Sequence, residues 1–450
     1  MKKYFLIKLL IFSSFLNGFA RWNSPALPHQ NTQKKPNFII ILADDLGYGD
    51  IGCYGNKRIL TPTLDQMAKE GIRFTDFHSN GAVCSPTRAA LMTGKYQQRT
   101  GINGVITAKG HRDSGLALNE NTIAEVLREA GYSTGIFGKW HLGYPEKFNP
   151  VHQGFDEFSG YISGNIDYHS HVDQEGYADW WKAGTLTPEE GYSTDLITQN
   201  ANNFISRHQS EPFFLYIAHE APHYPYQDRN SRADRSPGGK NGIDFRPHGS
   251  EKNPSAIYKT MIEIMDEDIG SVLNTLKNYG LYENTVVIFF SDNGAPQIGN
   301  NGKLRGFKGS VWEGGHRVPA IIQWPGHIPE GVLSNETVLS MDLFPTILKL
   351  AGINYSKAID GVSIDAHLVH DEPLHSRMVF WQHAQEYAVR DGIWKLVIPG
   401  KEKKPELYNL ELDIEEKNNI AGNYPEIVKK LSLKLEQWII EVNKDVKKIS

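Results

Sequence analysis

Two acidic clusters stand at the ends of apolar runs: Asp44-Asp45 after Asn37–Leu42, and Asp292-Asn293 after Thr285–Phe290. Three carboxylates and one amide carbonyl make an all-oxygen donor set, which suits a hard cation such as calcium or magnesium rather than zinc. Taken singly, each Asp or Asn is also a common turn former. Crowded anionic groups repel unless cations offset them, and the chain offers Arg88, Lys139 in Gly138-Lys139-Trp140-His141-Leu142-Gly143, and Lys308 in Gly306-Phe307-Lys308-Gly309. Imidazoles able to move a proton come from His141 and from the segment Ala218-His219-Glu220-Ala221-Pro222-His223-Tyr224-Pro225. His219 and His223 also have the i, i+4 spacing of a helical zinc pair, although Pro222 and Pro225 argue against a helix there.

Cys53 and Cys84 are the only two cysteines. In an exported protein a disulfide between them is one reading. The other gives Cys84 a separate use. It opens Cys84-Ser85-Pro86-Thr87-Arg88, with proline two and arginine four residues on, and leaves Cys53 as a buried free thiol.

The elements that must position these groups follow from periodicity. Asn37–Leu42, Ser133–Phe137, Phe213–Ile217, Thr285–Phe290 and Ala320–Gln323 are apolar runs of the kind buried on both faces of a parallel sheet. Helical patterns at Thr63–Glu70, Thr122–Ala130, Thr194–Arg207 and Ala256–Tyr279 alternate with them, which predicts an α/β domain. In such sheets ligands sit beyond the carboxyl ends of the strands, so both acidic clusters belong at one end. The Lys139–His141 segment is expected on an exposed loop there. Near residue 360 the pattern changes to short aromatic-rich segments at Met378–Gln382, Glu386–Arg390, Trp394–Ile398 and Leu407–Asn409. These predict a small antiparallel sheet covered by the amphipathic helix Pro425–Val442. The predicted fold is therefore a large, mainly parallel sheet flanked by helices, with a small C-terminal antiparallel sheet plus helix. The expected boundaries are residues 36–358 for the catalytic α/β domain and 359–450 for the C-terminal subdomain.

Residues 1–20 read as a secretory signal: Lys2 and Lys3, a mostly apolar Tyr4–Leu16, then Gly18-Phe19-Ala20. A short membrane anchor is the alternative, against which the apolar run is too short to span. Residues 21–35 read as a flexible leader, and no later run reaches membrane length. Export to the periplasm or medium is the expectation. A formal net charge of −5 over 450 residues argues against a general nucleic-acid binder.

Together these segments resemble a type I sulfatase of the alkaline-phosphatase superfamily. The Cys84–Arg88 run resembles the C-x-P-x-R element whose cysteine a maturation enzyme oxidises to formylglycine. Asp44, Asp45, Asp292 and Asn293, with position 84, match the family's metal ligands, taken as Ca2+ or Mg2+. Lys139, His141, His223 and Lys308 match its catalytic lysines and histidines, and Arg88 would hold the modified residue. The resemblance implies a hydrated aldehyde as nucleophile, His223 with Lys308 protonating the leaving alcohol, and His141 taking the proton that releases sulfate. It also implies one more polar side chain on the sulfate, either Ser163 or Asn165.

The implied substrate is a sulfated carbohydrate, either an algal polysaccharide such as ulvan or galactan, or glycosaminoglycan fragments. Trp180, Trp181, Trp312, Trp381, His169, His171 and His383 are expected around the cleft, with core packing as the competing use for the aromatics. The rival functions are a phosphate- or phosphonate-ester hydrolase of the same superfamily and a carbohydrate-binding protein without catalysis.

Overall fold

The computed structural model describes residues 34–239, 246 and 248–444. The expected signal and most of the leader lie outside these residues. Among the described residues a ten-stranded sheet runs in the order Val332–Ser334, Ile72–Phe74, Ala320–Gln323, Thr285–Ser291, Asn37–Ala43, Phe213–Ala218, Ser133–Lys139, Glu157–Tyr161, Trp181–Lys182, Thr185–Leu186. The central strand Asn37–Ala43 is parallel to both neighbours, pairing Ile40 with Tyr216 on one side and with Ile288 on the other. Ala320–Gln323 departs from this pattern and is antiparallel to both strands beside it.

The continuous apolar runs are explained by two cores, one on each face of the sheet. Phe38, Ile40 and Leu42 pack into one, while Ile39, Ile41 and Ala43 pack into the other. Strand geometry sends alternate side chains to opposite faces, so a strand covered on both sides has no polar position to show. The flanking helices begin at local capping signals. Thr122 and Glu125 form a reciprocal capping box ahead of Ile123–Glu129. Asn253 caps the long helix Pro254–Asn278, whose first residue is proline.

The four strands Met378–His383, Glu386–Asp391, Trp394–Ile398 and Glu406–Asn409 form an antiparallel meander. Helix Pro425–Val442 covers it with Leu431, Leu435, Trp438 and Val442. Residues 35 onward cluster as one unit, so this sheet is packed against the larger one. Its fully buried Lys395 reaches Glu313 (2.8 Å), Glu416 (3.0 Å) and His316 Nε2 (3.2 Å). His78, Glu313 and His316 could together ligate a metal, but the Lys395 ammonium already supplies the cation there. No helix among the described residues is long and apolar enough to cross a membrane.

Candidate active site

Both acidic clusters emerge at the carboxyl end of the sheet, directly after Asn37–Ala43 and Thr285–Ser291. The backbone N–H of Asp292 donates to Ala43 O (3.0 Å), and that of Asp45 donates to Asp292 Oδ1 (3.2 Å). Asp45 takes φ of 69°, a left-handed conformation unusual for a side chain other than glycine. The turn directs the Asp44 and Asp45 carboxylates to separate partners.

Cys84 is the first residue of helix Cys84–Thr93, which is buried along its whole length and ends at Gly94 with φ of 66°. Its thiol lies 3.5 Å from Asp44 Oδ1 and 3.5 Å from Lys308 Nζ. Burial, then the Asp44 carboxylate, push that thiol up to about 12. An unmodified thiol here is a poor nucleophile, because the thiolate is the reactive form. Cys53 and Cys84 are both free, so the disulfide reading is corrected. Cys53 is only part-buried, with its backbone N–H on Asp65 Oδ1 at 2.6 Å.

The cations surround the carboxylates. Arg88, one helical turn after Cys84, gives Asp292 Oδ2 a bond of 3.0 Å, lies 3.7 Å from Asp44, and donates to Lys139 O and Tyr216 Oη. Lys139 pairs with Asp44 and Lys308 with Asp45 (2.6 Å). Burial alone would push the Asp45 carboxyl up, but Lys308 and His223 outweigh it and hold the group below its ordinary value. Asp292 has no such surplus, and burial with the neighbouring Asp44 raises it. Lys139 is the last residue of its strand and has no solvent exposure, contrary to the expected exposed loop. Gly138 makes this possible: it has φ of 108°, and a Cβ there would come within 2.0 Å of Ala218 O.

The histidines show distinct hydrogen-bonding states. His141 Nε2 faces Ile106 O at 3.0 Å. A carbonyl only accepts, so Nε2 carries the proton and Nδ1 keeps a lone pair, and Nδ1 is buried without a partner. Burial and the nearby Lys139 and Arg88 charges hold this ring well below its ordinary pKa, which keeps it neutral. Gly164 passes so close that a Cβ would lie 2.9 Å from His141 Nε2. His223 Nδ1 is fixed by Tyr224 O at 2.6 Å, and its Nε2 lies 3.6 Å from Asp45 Oδ2. His219 does not join the site, and both its ring nitrogens are buried and unpartnered. The zinc-pair reading is therefore corrected: the metal-competent set around His223 is Asp44, Asp45 and Cys84.

These groups floor a cavity of about 570 Å³ whose lining includes Asp45, Cys84, His141, His223 and Lys308, with Asn165 and Gln174 on the wall. Ser163 also lines it, but its hydroxyl donates to Asn165 O at 3.0 Å. Asn165 is 5% exposed and its Oδ1 has no partner, so its amide is the group left to meet a ligand. The residues also fit a hard cation: Asn293 Oδ1 is buried and unpartnered beside three buried carboxylates. The expected aromatic cleft is corrected in its members: Tyr144 and Tyr224 line the cavity, and His169, His171 and His383 do not. None of the four tryptophans lines the cavity, and Trp180 and Trp381 are core residues, Trp381 stacking on His316 at 4.0 Å. Gln174 and the wall around Thr107 gave no sequence signal, since irregular loops bring them to the site.

Comparison with known proteins agrees with this geometry. The sulfatase family model matches residues 36–353, and the model for the C-terminal part of N-sulphoglucosamine sulphohydrolase matches 307–441. The chain belongs to the sulfatase family. It is 36% identical over 359 residues to pig (Sus scrofa) N-acetylgalactosamine-6-sulfatase, covering 73% of this chain and 65% of that protein. To human arylsulfatase A it is 36% identical over 403 residues, covering 80% and 74%. Among solved structures it resembles Ps i-CgsB in complex with k-i-k-neocarrahexaose, with TM-score 0.82, 30% identity, and coverage of 93% and 94%.

Proposed function

We propose that this protein hydrolyses sulfate esters of a carbohydrate, using formylglycine made from Cys84. The observation that carries the reading is the convergence of Cys84, Asp45, His141, His223 and Lys308 on one cavity, with Asp44, Asp292, Arg88 and Lys139 paired and buried directly behind them. The carbohydrate assignment is supported by the relatives' printed names and by the oligosaccharide bound to i-CgsB. Within that class, sulfated galactan and sulfated hexosamine fragments are the substrates to test.

Asp44, Asp45, Asp292 and Asn293 would hold a calcium or magnesium ion, which supplies Lewis-acid stabilisation of charge on the sulfuryl oxygens. The aldehyde, once hydrated, supplies a hydroxyl nucleophile that a buried thiol with its pKa raised to about 12 cannot provide. Lys139 and Lys308 stay protonated, the first held up by Asp44 against burial and the second by Asp45, so both remain able to offset anionic charge. His223 with Lys308 would pass a proton to the departing alcohol. His141, neutral with its Nδ1 lone pair free, would take up the proton whose removal releases sulfate. Arg88 keeps its bond to Asp292 and orients the residue at position 84. Asn165 would present its amide to the sulfate.

The test is intact-peptide mass across position 84, together with parallel assays on aryl sulfate and aryl phosphate and on a panel of sulfated oligosaccharides. Conversion of thiol to aldehyde with sulfate release is the expected result. Full activity from unconverted cysteine, or a strong phosphate preference, overturns the reading. The N-terminal signal implies export and maturation during passage to the periplasm or medium; the mass of the mature N-terminus tests that.

A further inference from the structure

Asn165 does not stand alone against the ligand. Its Nδ2 donates to Gln174 Oε1 at 3.3 Å, and Tyr224 Oη donates to the same oxygen at 3.5 Å. All three residues line the cavity. In this arrangement the atom Asn165 leaves unpartnered is Oδ1, an acceptor. A sulfate ester has only acceptor oxygens, so an acceptor facing it gains nothing. A half-turn of the Asn165 amide resolves the mismatch, provided Gln174 makes the same half-turn. Gln174 Nε2 then donates one hydrogen to Asn165 Oδ1 and the other to Tyr224 Oη, and Asn165 Nδ2 faces the sulfate. Only a residue carrying both a donor and an acceptor at its tip can serve both states.

We infer that Gln174 is a positioning residue whose half-turn lets Asn165 present a donor to a sulfate ester, and that holding the pair in its other state costs sulfate more than phosphate. The inference rests on the sulfate-ester reading above. The chemical distinction is the proton. Near pH 5 a phosphate monoester is mainly a monoanion that retains one O–H, because its second pKa is about 6. That ligand can donate to an Asn165 held with Oδ1 inward, whereas a sulfate monoester cannot.

Gln174→Glu makes position 174 acceptor-only and holds Asn165 Nδ2 toward it. Near pH 5 both esters carry one negative charge, so repulsion by the new carboxylate cancels in their ratio. The ratio of kcat/KM for a hexose 6-sulfate to that for the matching hexose 6-phosphate should fall at least tenfold in Gln174→Glu. It should stay within about twofold of wild type in Gln174→Leu, which leaves the Asn165 amide free to turn. Asn165→Asp, acceptor-only by itself, should lower the ratio as Gln174→Glu does. Equal falls in Gln174→Glu and Gln174→Leu, or no fall in either acceptor-only variant, overturns the inference alone. A wild-type protein that prefers phosphate overturns the sulfate reading and this inference with it.

Discussion

His219 shows how a single side chain can set acid sensitivity. It is fully buried, neither ring nitrogen has a partner, and burial lowers its pKa to about 4. The unfolded chain regains the ordinary value near 6.5, so below that pH it binds a proton that the folded state refuses. Stability from this residue is therefore full above pH 6.5 and falls by about 3 kcal/mol as pH drops to 4, at about 1.4 kcal/mol per unit. His219→Phe should remove this dependence, gaining about 3 kcal/mol relative to wild type between pH 7 and pH 4 in urea unfolding. Within the site, His141→Ala should lower kcat by roughly 10²–10⁴-fold. With His141 in its proposed role, on release rather than on attack, a first turnover should remain visible in rapid-mixing assays. A proportional loss in that first turnover would move His141 to the attacking step.

The elements differ in how plainly the sequence announces them. Asn37–Ala43 and Thr285–Ser291 are buried on both faces, so their apolar runs are unbroken, and the polar residues that end them stand out as Asp44-Asp45 and Asp292-Asn293. The edge strand Val332–Ser334 and its neighbour Ile72–Phe74 are three residues each and carry no periodic signal. Lys139 reads as a loop residue because lysine is seldom fully buried. Its place at the strand end depends on a partner, Asp44, far away in sequence. Trp381 reads as a sugar platform but is packed on His316, a contact set by docking of the C-terminal sheet. That docking has a testable centre. Lys395→Met should leave Glu313 and Glu416 without their shared cation and cost about 3–5 kcal/mol, read as a lowered urea midpoint. A near-neutral result would show that the two carboxyl groups share a proton once the lysine is gone.

At the scale of the whole molecule, the small sheet and the large one meet where the Lys308 loop ends. Glu313 N donates to Glu416 Oε2 at 2.7 Å, five residues after Lys308, and Gly309 N donates to Ala82 O beside Cys84. Loss of the C-terminal sheet should therefore affect catalysis as well as folding. A chain cut after residue 376 should lose activity on every ester, in contrast to the selective effect of Gln174→Glu. The site also has a simple charge balance. Asp44, Asp45 and Asp292 are met one for one by Arg88, Lys139 and Lys308. A divalent ion adds two positive charges to this already balanced set, and a singly charged sulfate ester offsets one of them. The two ligands should then bind with reciprocal synergy: sulfate tightens the ion by the same factor by which the ion tightens sulfate. Titrating the ion with and without saturating sulfate, then sulfate with and without the ion, closes that thermodynamic square, and unequal factors would show that a third species is taking part.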